Sequence, residues 1–245
     1  MSNELHYPRR DFLKGVLASA STLALGGRLL AANPNEREVK PEANPLDIDK
    51  IGKDTNLWVL DFKFKDPRVI KVDVPARGPK VCWYLWYQVI NNSGQPQFFN
   101  PDFDWVTLDQ KTSHHDQILP KVQEDIRKIE DPHDYLKIKN SVTIGANAIP
   151  PSRENAEPSA VTGVAIWDDI NPDANYFSIF IQGLSNGWAL TDDPIEPGKK
   201  TIVRRKTLQL NFHRFGDKYY QKSEEIRFEA PAKWEYRASN MPAPK

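Results

Sequence analysis

Oxygen-bearing side chains recur at every second residue in one polar segment of the chain. They are Asp169, Asn171, Asp173 and Asn175. Calcium loops use this spacing to turn carboxylate and amide oxygens toward one hard cation. The segment departs from an EF-hand loop, since Ala174 stands where the sharp turn needs glycine and Phe180 where the closing glutamate belongs. Calcium is therefore one candidate ligand, and Asx turns that need no metal are the competing interpretation.

A second group of potential metal ligands is the run His114, His115 and Asp116. Adjacent residues of a strand point to opposite faces, so both imidazoles could reach one ion only in a turn. Asp116 also lies shortly before a predicted helix, where a carboxylate can cap the helix N-terminus. Helix capping competes with the metal hypothesis, and the sequence predicts no other cofactor.

The segment Gly183–Gly187 reads Gly-Leu-Ser-Asn-Gly, the pattern of a nucleophilic serine turn, and Asp192, Asp193 and His213 follow it. Their order is that of an α/β-hydrolase triad, in which the serine turn must begin a helix. Residues 188–198 instead contain two prolines, two aspartates and no helical stripe. A hairpin or loop is the favoured interpretation of Ser185, and the absence of enzymatic activity is favoured over its presence.

Tryptophan is abundant, and its flat faces can bind sugars when they are exposed. The seven tryptophans are Trp58, Trp83, Trp86, Trp105, Trp167, Trp188 and Trp234. Most lie within predicted strands, where a buried position is the default. Trp188 falls in a predicted polar loop and is the candidate for exposure.

The N-terminal segment resembles a twin-arginine export signal. Arg9 and Arg10 precede Phe12-Leu13-Lys14, and a weakly apolar run of about 11 residues follows, which is short of the roughly 20 that a membrane span needs. The resemblance implies that the twin-arginine translocase exports the folded chain to the periplasm or the extracellular space. Leu30-Ala31-Ala32 offers a cleavage site, and retention of the segment as an anchor is the alternative.

Composition disfavours nucleic acid as a partner and leaves no internal disulfide to stabilise the fold. Lysine and arginine number 33 and aspartate and glutamate 33, so the formal net charge is zero. Nucleic-acid binding, which needs a basic surface, is not expected. The basic run from Lys199 to Lys206 is interpreted as a solvated loop and a charged edge strand. Cys82 is the single cysteine and can form no internal disulfide, so packing must hold the fold together.

Hydrophobic periodicity divides the chain into a signal over residues 1–32, a polar linker over 33–55, a β-domain over 56–237 and a short tail over 238–245. Period-two alternation or short apolar runs predict strands in nine segments. These are 57–65, 69–74, 81–90, 98–108, 141–144, 161–167, 176–182, 202–212 and 225–228. Leu119, Val122, Ile126 and Ile129 recur at helical spacing and predict one helix over 119–130.

The segment Val81–Ile90 is apolar on both faces, which is typical of a central strand covered on both sides. The predicted helix supplies an apolar stripe to cover one of those faces. The pattern predicts an all-β, mainly antiparallel, immunoglobulin-like β-sandwich with one inserted amphipathic helix.

Two resemblances accompany this pattern. Tyr87-x-Val89-x-Asn91-x-Ser93-Gly94 resembles a strand and turn of bacterial immunoglobulin-like modules. The signal, the segment 57–62, the segment 81–91 and the segment 204–212 together resemble a family of uncharacterised secreted proteins of planctomycete-type bacteria. That resemblance implies a cell-envelope setting and assigns no functional residues.

Three hypotheses for function follow. The first is an exported non-enzymatic β-sandwich module that binds a protein or an envelope component. The second is a secreted hydrolase or metal-dependent enzyme that uses Ser185 or the His114–Asp116 cluster. The third is a carbohydrate-binding module, which requires exposed aromatic rings.

Overall fold

The structure is a computed structural model that describes residues 36–41, 57–74, 76–192, 195, 198, 201–217 and 223–239. The predicted signal, residues 1–32, lies outside the described residues. Contacts along the chain place Asn33–Lys245 in one compact unit.

The described residues form eleven strands and one α-helix. The strands are β1 Glu36–Val39, β2 Asp61–Lys65, β3 Arg68–Val74, β4 Gly78–Ile90, β5 Asp102–Thr107, β6 Thr112–His115, β7 Ala160–Trp167, β8 Tyr176–Gln182, β9 Trp188–Asp192, β10 Thr201–Arg214 and β11 Ile226–Ala238. The helix α1 spans Pro120–Glu130, and two 3-10 turns span Thr143–Ala146 and Ser223–Glu225.

Each of the two sheets is organised around one long strand. The first sheet has the order β1-β2-β4-β3, and β7 pairs with the other edge of β4. The second has the order β11-β10-β8-β5-β6, and β9 pairs with β10 beyond the end of β8. All of these strand pairs are antiparallel. Because β4 and β10 are long, each accommodates two shorter strands in succession along one edge.

An aromatic core fills the space between the sheets. Trp105 of β5 stacks on Phe177 of β8 at 4.1 Å between ring centroids, and its edge contacts Trp83 of β4 and Trp167 of β7. All four rings are buried. Large rings supply much of the apolar area that stabilises a fold without disulfides. The predicted all-β sandwich with one helix is confirmed.

Helix α1 covers the outer face of the first sheet. Val122 and Ile126 are fully buried, and they pack in one cluster with Cys82, Tyr84 and Trp86 of β4. The prediction that β4 is covered on both faces, with the helix over one of them, is therefore confirmed. Burial also raises the pKa of the Cys82 thiol to about 11, so the thiol stays protonated near neutral pH. No helix in the described part of the chain is long and apolar enough to cross a membrane.

Four segments differ from the sequence predictions. The predicted linker over 33–55 contributes the edge strand β1, whose residues alternate between exposed and half-buried. Strands β6 and β9 fall in segments without a predicted strand. The predicted strand over 141–144 is wrong, because Thr143–Ala146 forms a 3-10 turn that buries Ile144. A short apolar run indicates burial but does not distinguish a strand from a turn.

Gly163 of β7 is required by the packing of Tyr87, its partner across the strand pair. A Cβ at position 163 would lie 2.5 Å from the Tyr87 ring and 2.8 Å from Cδ1 of Ile144. We expect Gly163→Ala to lower the free energy of unfolding by about 1–3 kcal/mol through overpacking, measured by urea denaturation. Adding Tyr87→Phe removes the close hydroxyl and should recover part of the loss. An unchanged midpoint in Gly163→Ala would contradict this packing.

Candidate functional site

A cavity of about 440 Å³ opens where the end of α1, the turn between β2 and β3, and the start of β11 meet. Its size is typical of a small-ligand site. The lining residues come from both sheets and the helix, and they are Asp66, Arg68, Val69, Tyr84, Ile129, Ser223 and Arg227. The lining is therefore mixed, with two arginines, one carboxylate and two hydroxyls beside two aliphatic side chains.

Glu130, the last residue of α1, anchors a buried ion cluster beside this cavity. Its side chain is only 2% exposed, yet its carboxylate accepts bonds from three donors. They are Lys65 Nζ at 2.9 Å, Arg68 Nη1 at 2.8 Å and Tyr84 Oη at 2.9 Å. Burial, followed by the neighbouring carboxylate, raises the pKa of Tyr84, so its hydroxyl stays protonated and donates. A buried carboxylate needs such partners to offset its desolvation.

Two further contacts shape the rim of the cavity. Arg37 of β1 donates two parallel bonds of 2.8 Å to the carboxylate of Asp66. This bidentate pair raises the pKa of Arg37, chiefly through the hydrogen bond to Asp66. Ser223 Oγ accepts the backbone N–H of Val69 at 3.0 Å. The Ser223 hydroxyl can still donate, because the bond to Val69 uses one of its lone pairs.

The predicted calcium loop is organised by an arginine. Arg214, which is only 2% exposed, donates to the carbonyl of Pro172 at 2.7 Å, the carbonyl of Ala174 at 3.3 Å and Oδ1 of Asn175 at 3.0 Å. Asn171 Oδ1 accepts the backbone N–H of Asp173 at 2.9 Å, which is an Asx turn. Loop oxygens thus converge on a guanidinium, and the Asx-turn interpretation fits the observed hydrogen bonds.

The remaining predicted ligands are separated by the strand geometry. Within β6, His114 Nδ1 lies 2.9 Å from Asp169 Oδ2, whereas His115 Nδ1 lies 3.6 Å from Asp102 Oδ1. The two imidazoles therefore lie near different carboxylates, because neighbouring residues of a strand point to opposite faces. Among the described residues, no group of three or more His, Cys, Asp or Glu side chains is placed to hold a metal ion.

The prediction that Asp116 caps the helix is wrong. The helix is preceded by Leu119 at its N-cap, without a side-chain cap, and has proline in its first turn. Asp116 instead accepts a hydrogen bond from the hydroxyl of Ser141. Burial raises the pKa of Asp116.

Ser185 ties a loop to the start of the first sheet. Its Oγ donates to the carbonyl of Trp58 at 2.8 Å and accepts the N–H of Gly187 at 3.0 Å. Strand β9 follows the serine directly, where a nucleophilic serine turn would begin a helix. His213 stacks on Tyr176, and its Nδ1 lies 4.0 Å from Glu229 Oε1. Asp193 lies outside the described residues.

The aromatic side chains that are exposed are not the tryptophan that the sequence singled out. Trp83, Trp86, Trp105 and Trp167 are buried, and Trp188 is half-buried at the start of β9. Two exposed aromatic rings contact His213 instead, Tyr176 of β8 and Phe215 just after β10. Tyr176 stacks on His213 with the ring centroids 4.1 Å apart, and Phe215 is tilted by 50° to His213 at 3.9 Å.

The cavity itself was not predicted from sequence. Its lining residues span Asp66 to Arg227 and share no local spacing. One available signal was Glu130, an acidic residue at the C-terminal end of an amphipathic helix, where the helix dipole disfavours negative charge. Such a residue suggests compensating cations from elsewhere in the fold.

No protein-family model, curated protein or solved structure matches the chain. The resemblances to bacterial immunoglobulin-like modules and to a planctomycete-type secreted family stay predictions. Function must be inferred from the side chains themselves, because a sandwich architecture hosts many activities.

Arg214 should be a structural residue of the loop over 169–175. We expect Arg214→Met to lower the free energy of unfolding by about 2–4 kcal/mol, because buried carbonyl acceptors lose their donor. Urea denaturation measures the loss, and Arg153→Met, at an exposed arginine, is the matched control. Added calcium should not restore the free energy of unfolding of Arg214→Met. A neutral Arg214→Met together with saturable stabilisation of the wild type by calcium would instead favour a calcium loop.

Proposed function

We propose that the chain is an exported, non-enzymatic β-sandwich module that binds a protein or cell-envelope partner through the cavity beside Glu130. The observation that carries this proposal is the convergence of Arg68, Ser223 and Arg227 on one open space of about 440 Å³. Cavities of this size with a few convergent polar groups are typical of binding sites.

The acidic groups around the cavity favour binding over catalysis. Glu130 is held by three donors, and Asp66 is held by both nitrogens of the Arg37 fork. A general base must be free to take a proton from a substrate, whereas these carboxylates are already occupied as acceptors. The hydrolase and metal-dependent alternatives have less support, because Ser185 and His114 are engaged in structural hydrogen bonds.

Carbohydrate binding is the second candidate function. It is favoured by the exposed faces of Tyr176 and Phe215, which are 46% and 54% exposed. Aromatic faces with a polar surround suit sugar rings, and Glu229 lies beside His213 within the same cluster.

The location we propose is the periplasm or the extracellular space, reached through the twin-arginine translocase. We expect Arg9→Lys with Arg10→Lys to retain the chain in the cytoplasm, because the pair is the recognised feature of the signal. Cell fractionation and immunoblotting measure the exported share. Arg28→Lys, in the same segment, is the matched control and should be exported normally. Equal export of the paired variant would contradict this route.

Binding through the cavity can be tested by sedimentation of the purified full chain with an isolated bacterial envelope fraction. We expect Arg227→Glu to reduce the bound share about tenfold or more, because it places a negative charge at the cavity mouth. Arg153→Glu makes the same charge change at an exposed arginine that does not line the cavity. Protease treatment of the fraction before mixing separates a protein partner from a glycan or lipid.

Two outcomes of the sedimentation assay would contradict the proposal. Equal binding by Arg227→Glu and the wild type would exclude the cavity as the contact site. Binding that survives Arg227→Glu but is lost in Tyr176→Ala would favour carbohydrate recognition by the exposed aromatic rings beside His213.

A further inference from the structure

We infer that the cavity beside Glu130 binds an organic oxyanion, a carboxylate or phosphate group attached to a short apolar portion. The inference rests on the proposed function, since it names the chemistry that the same cavity recognises. It follows from the charge balance of the site, the unused donors of its arginines and the aliphatic part of its lining.

The first step is charge. Two cationic side chains, Arg68 and Arg227, line the cavity. Two more lie beside it, since Arg37 bonds to Asp66 of the lining and Lys65 bonds to Glu130. The carboxylates in the same set are Asp66 and Glu130, and both are already engaged by these cations. Arg227 has no carboxylate within ion-pair distance among the described residues. The site therefore carries a surplus of positive charge, which favours an anion and disfavours a cation.

The second step is hydrogen-bonding capacity. A guanidinium has five N–H donors in a planar fork. Arg68 donates one charge-assisted bond, from Nη1 to Glu130, and is 29% exposed, so its group is both positioned and accessible. Arg227 donates from Nη1 to the carbonyl of Ile226. Each arginine retains donors for a carboxylate or phosphate, and bidentate recognition of these groups is the characteristic use of arginine.

The third step is positioning. Glu130 fixes Arg68 from within the protein, and Lys65 and Tyr84 fix Glu130 in turn. A cation that is held in place before the ligand arrives loses less conformational entropy on binding. A buried cluster thus holds the Arg68 cation in place, whereas Arg227 is an exposed residue near the start of β11.

The fourth step is the shape and polarity of the remaining lining. Val69 and Ile129 contribute aliphatic surface to the same cavity, and Ile129 is 57% exposed. A bare inorganic ion would leave this surface in contact with water. An acid with a short apolar portion can cover it, so an organic oxyanion fits the lining better than an inorganic one.

Isothermal titration calorimetry on the full chain, at fixed ionic strength, tests this inference with four probes. They are acetate, hexanoate, inorganic phosphate and phenyl phosphate, with sodium chloride as the reference salt. We expect saturable binding of hexanoate or phenyl phosphate, tighter than that of the matching small ion. The hexanoate and phenyl phosphate arms distinguish a carboxylate source from a phosphate source.

Arg227→Gln should weaken that binding by about tenfold or more, the loss expected for a charge-assisted bond. Arg227 is exposed, so the variant should keep the unfolding midpoint of the wild type. Arg153→Gln is the matched control and should bind as the wild type does. Binding that is undiminished in Arg227→Gln, or heats that sodium chloride reproduces, would overturn the inference. Equal affinity for phosphate and phenyl phosphate, and for acetate and hexanoate, would also overturn it.

The outcome is separable from that of the envelope assay. If no oxyanion binds but Arg227→Glu still loses the envelope partner, the ligand class is wrong and the binding function stands. If oxyanions bind with the expected variant effects but envelope binding is unaffected by Arg227→Glu, the ligand class stands and the proposed partner function is wrong.

Discussion

The burial of strand β4 on both faces is the constraint on which the rest of the structure depends. One face carries Trp83, Leu85 and Tyr87 into the core between the sheets, and the other carries Tyr84 and Trp86 against helix α1. A sandwich of two sheets covers only one face of each sheet. The second apolar face of β4 therefore requires a further layer, and the amphipathic helix between β6 and β7 provides it.

Placing the helix there creates an electrostatic problem at its end. Glu130 closes the helix with a negative charge near the negative pole of the helix dipole, and packing against the sheet removes that charge from water. Three strands of the first sheet each supply a hydrogen-bond donor to this carboxylate, and these donors offset its burial. They are Lys65, Arg68 and Tyr84. Their convergence also places cations at the edge of the cavity, so the polar character of the candidate site follows from the position of the helix.

The loop over 169–175 shows the same principle on the second sheet. Arg214 at the end of β10 brings a positive charge to carbonyl and amide oxygens of the loop. A guanidinium and a calcium ion both attract converging oxygens, so alternating Asp and Asn residues suit either one. The hydrogen bonds of this loop are made by a guanidinium because Arg214, about forty positions away along the chain, reaches it.

Local sequence determined the elements whose apolar side chains recur with a clear period or form a short continuous run. Period-two alternation or a short apolar run placed β3, β4, β7, β8 and most of β10, and helical spacing placed α1 within a residue of its observed bounds. The two-sided apolar character of Val81–Ile90 also predicted a strand covered on both faces, with the helix over one of them. Strands such as Thr112–His115 carried no such signal, because an edge strand with mostly exposed side chains needs no apolar alternation.

Only the tertiary structure decided which polar residues meet. The cavity gathers the turn after β2, the strand β3, the end of α1 and the start of β11, and no spacing within the sequence links these segments. Hydrophobic periodicity reports how one segment faces the core, whereas an ion cluster depends on the register and crossing of several segments. The sequence therefore determined the layers of this protein, and the packing of those layers decided where its charges converge.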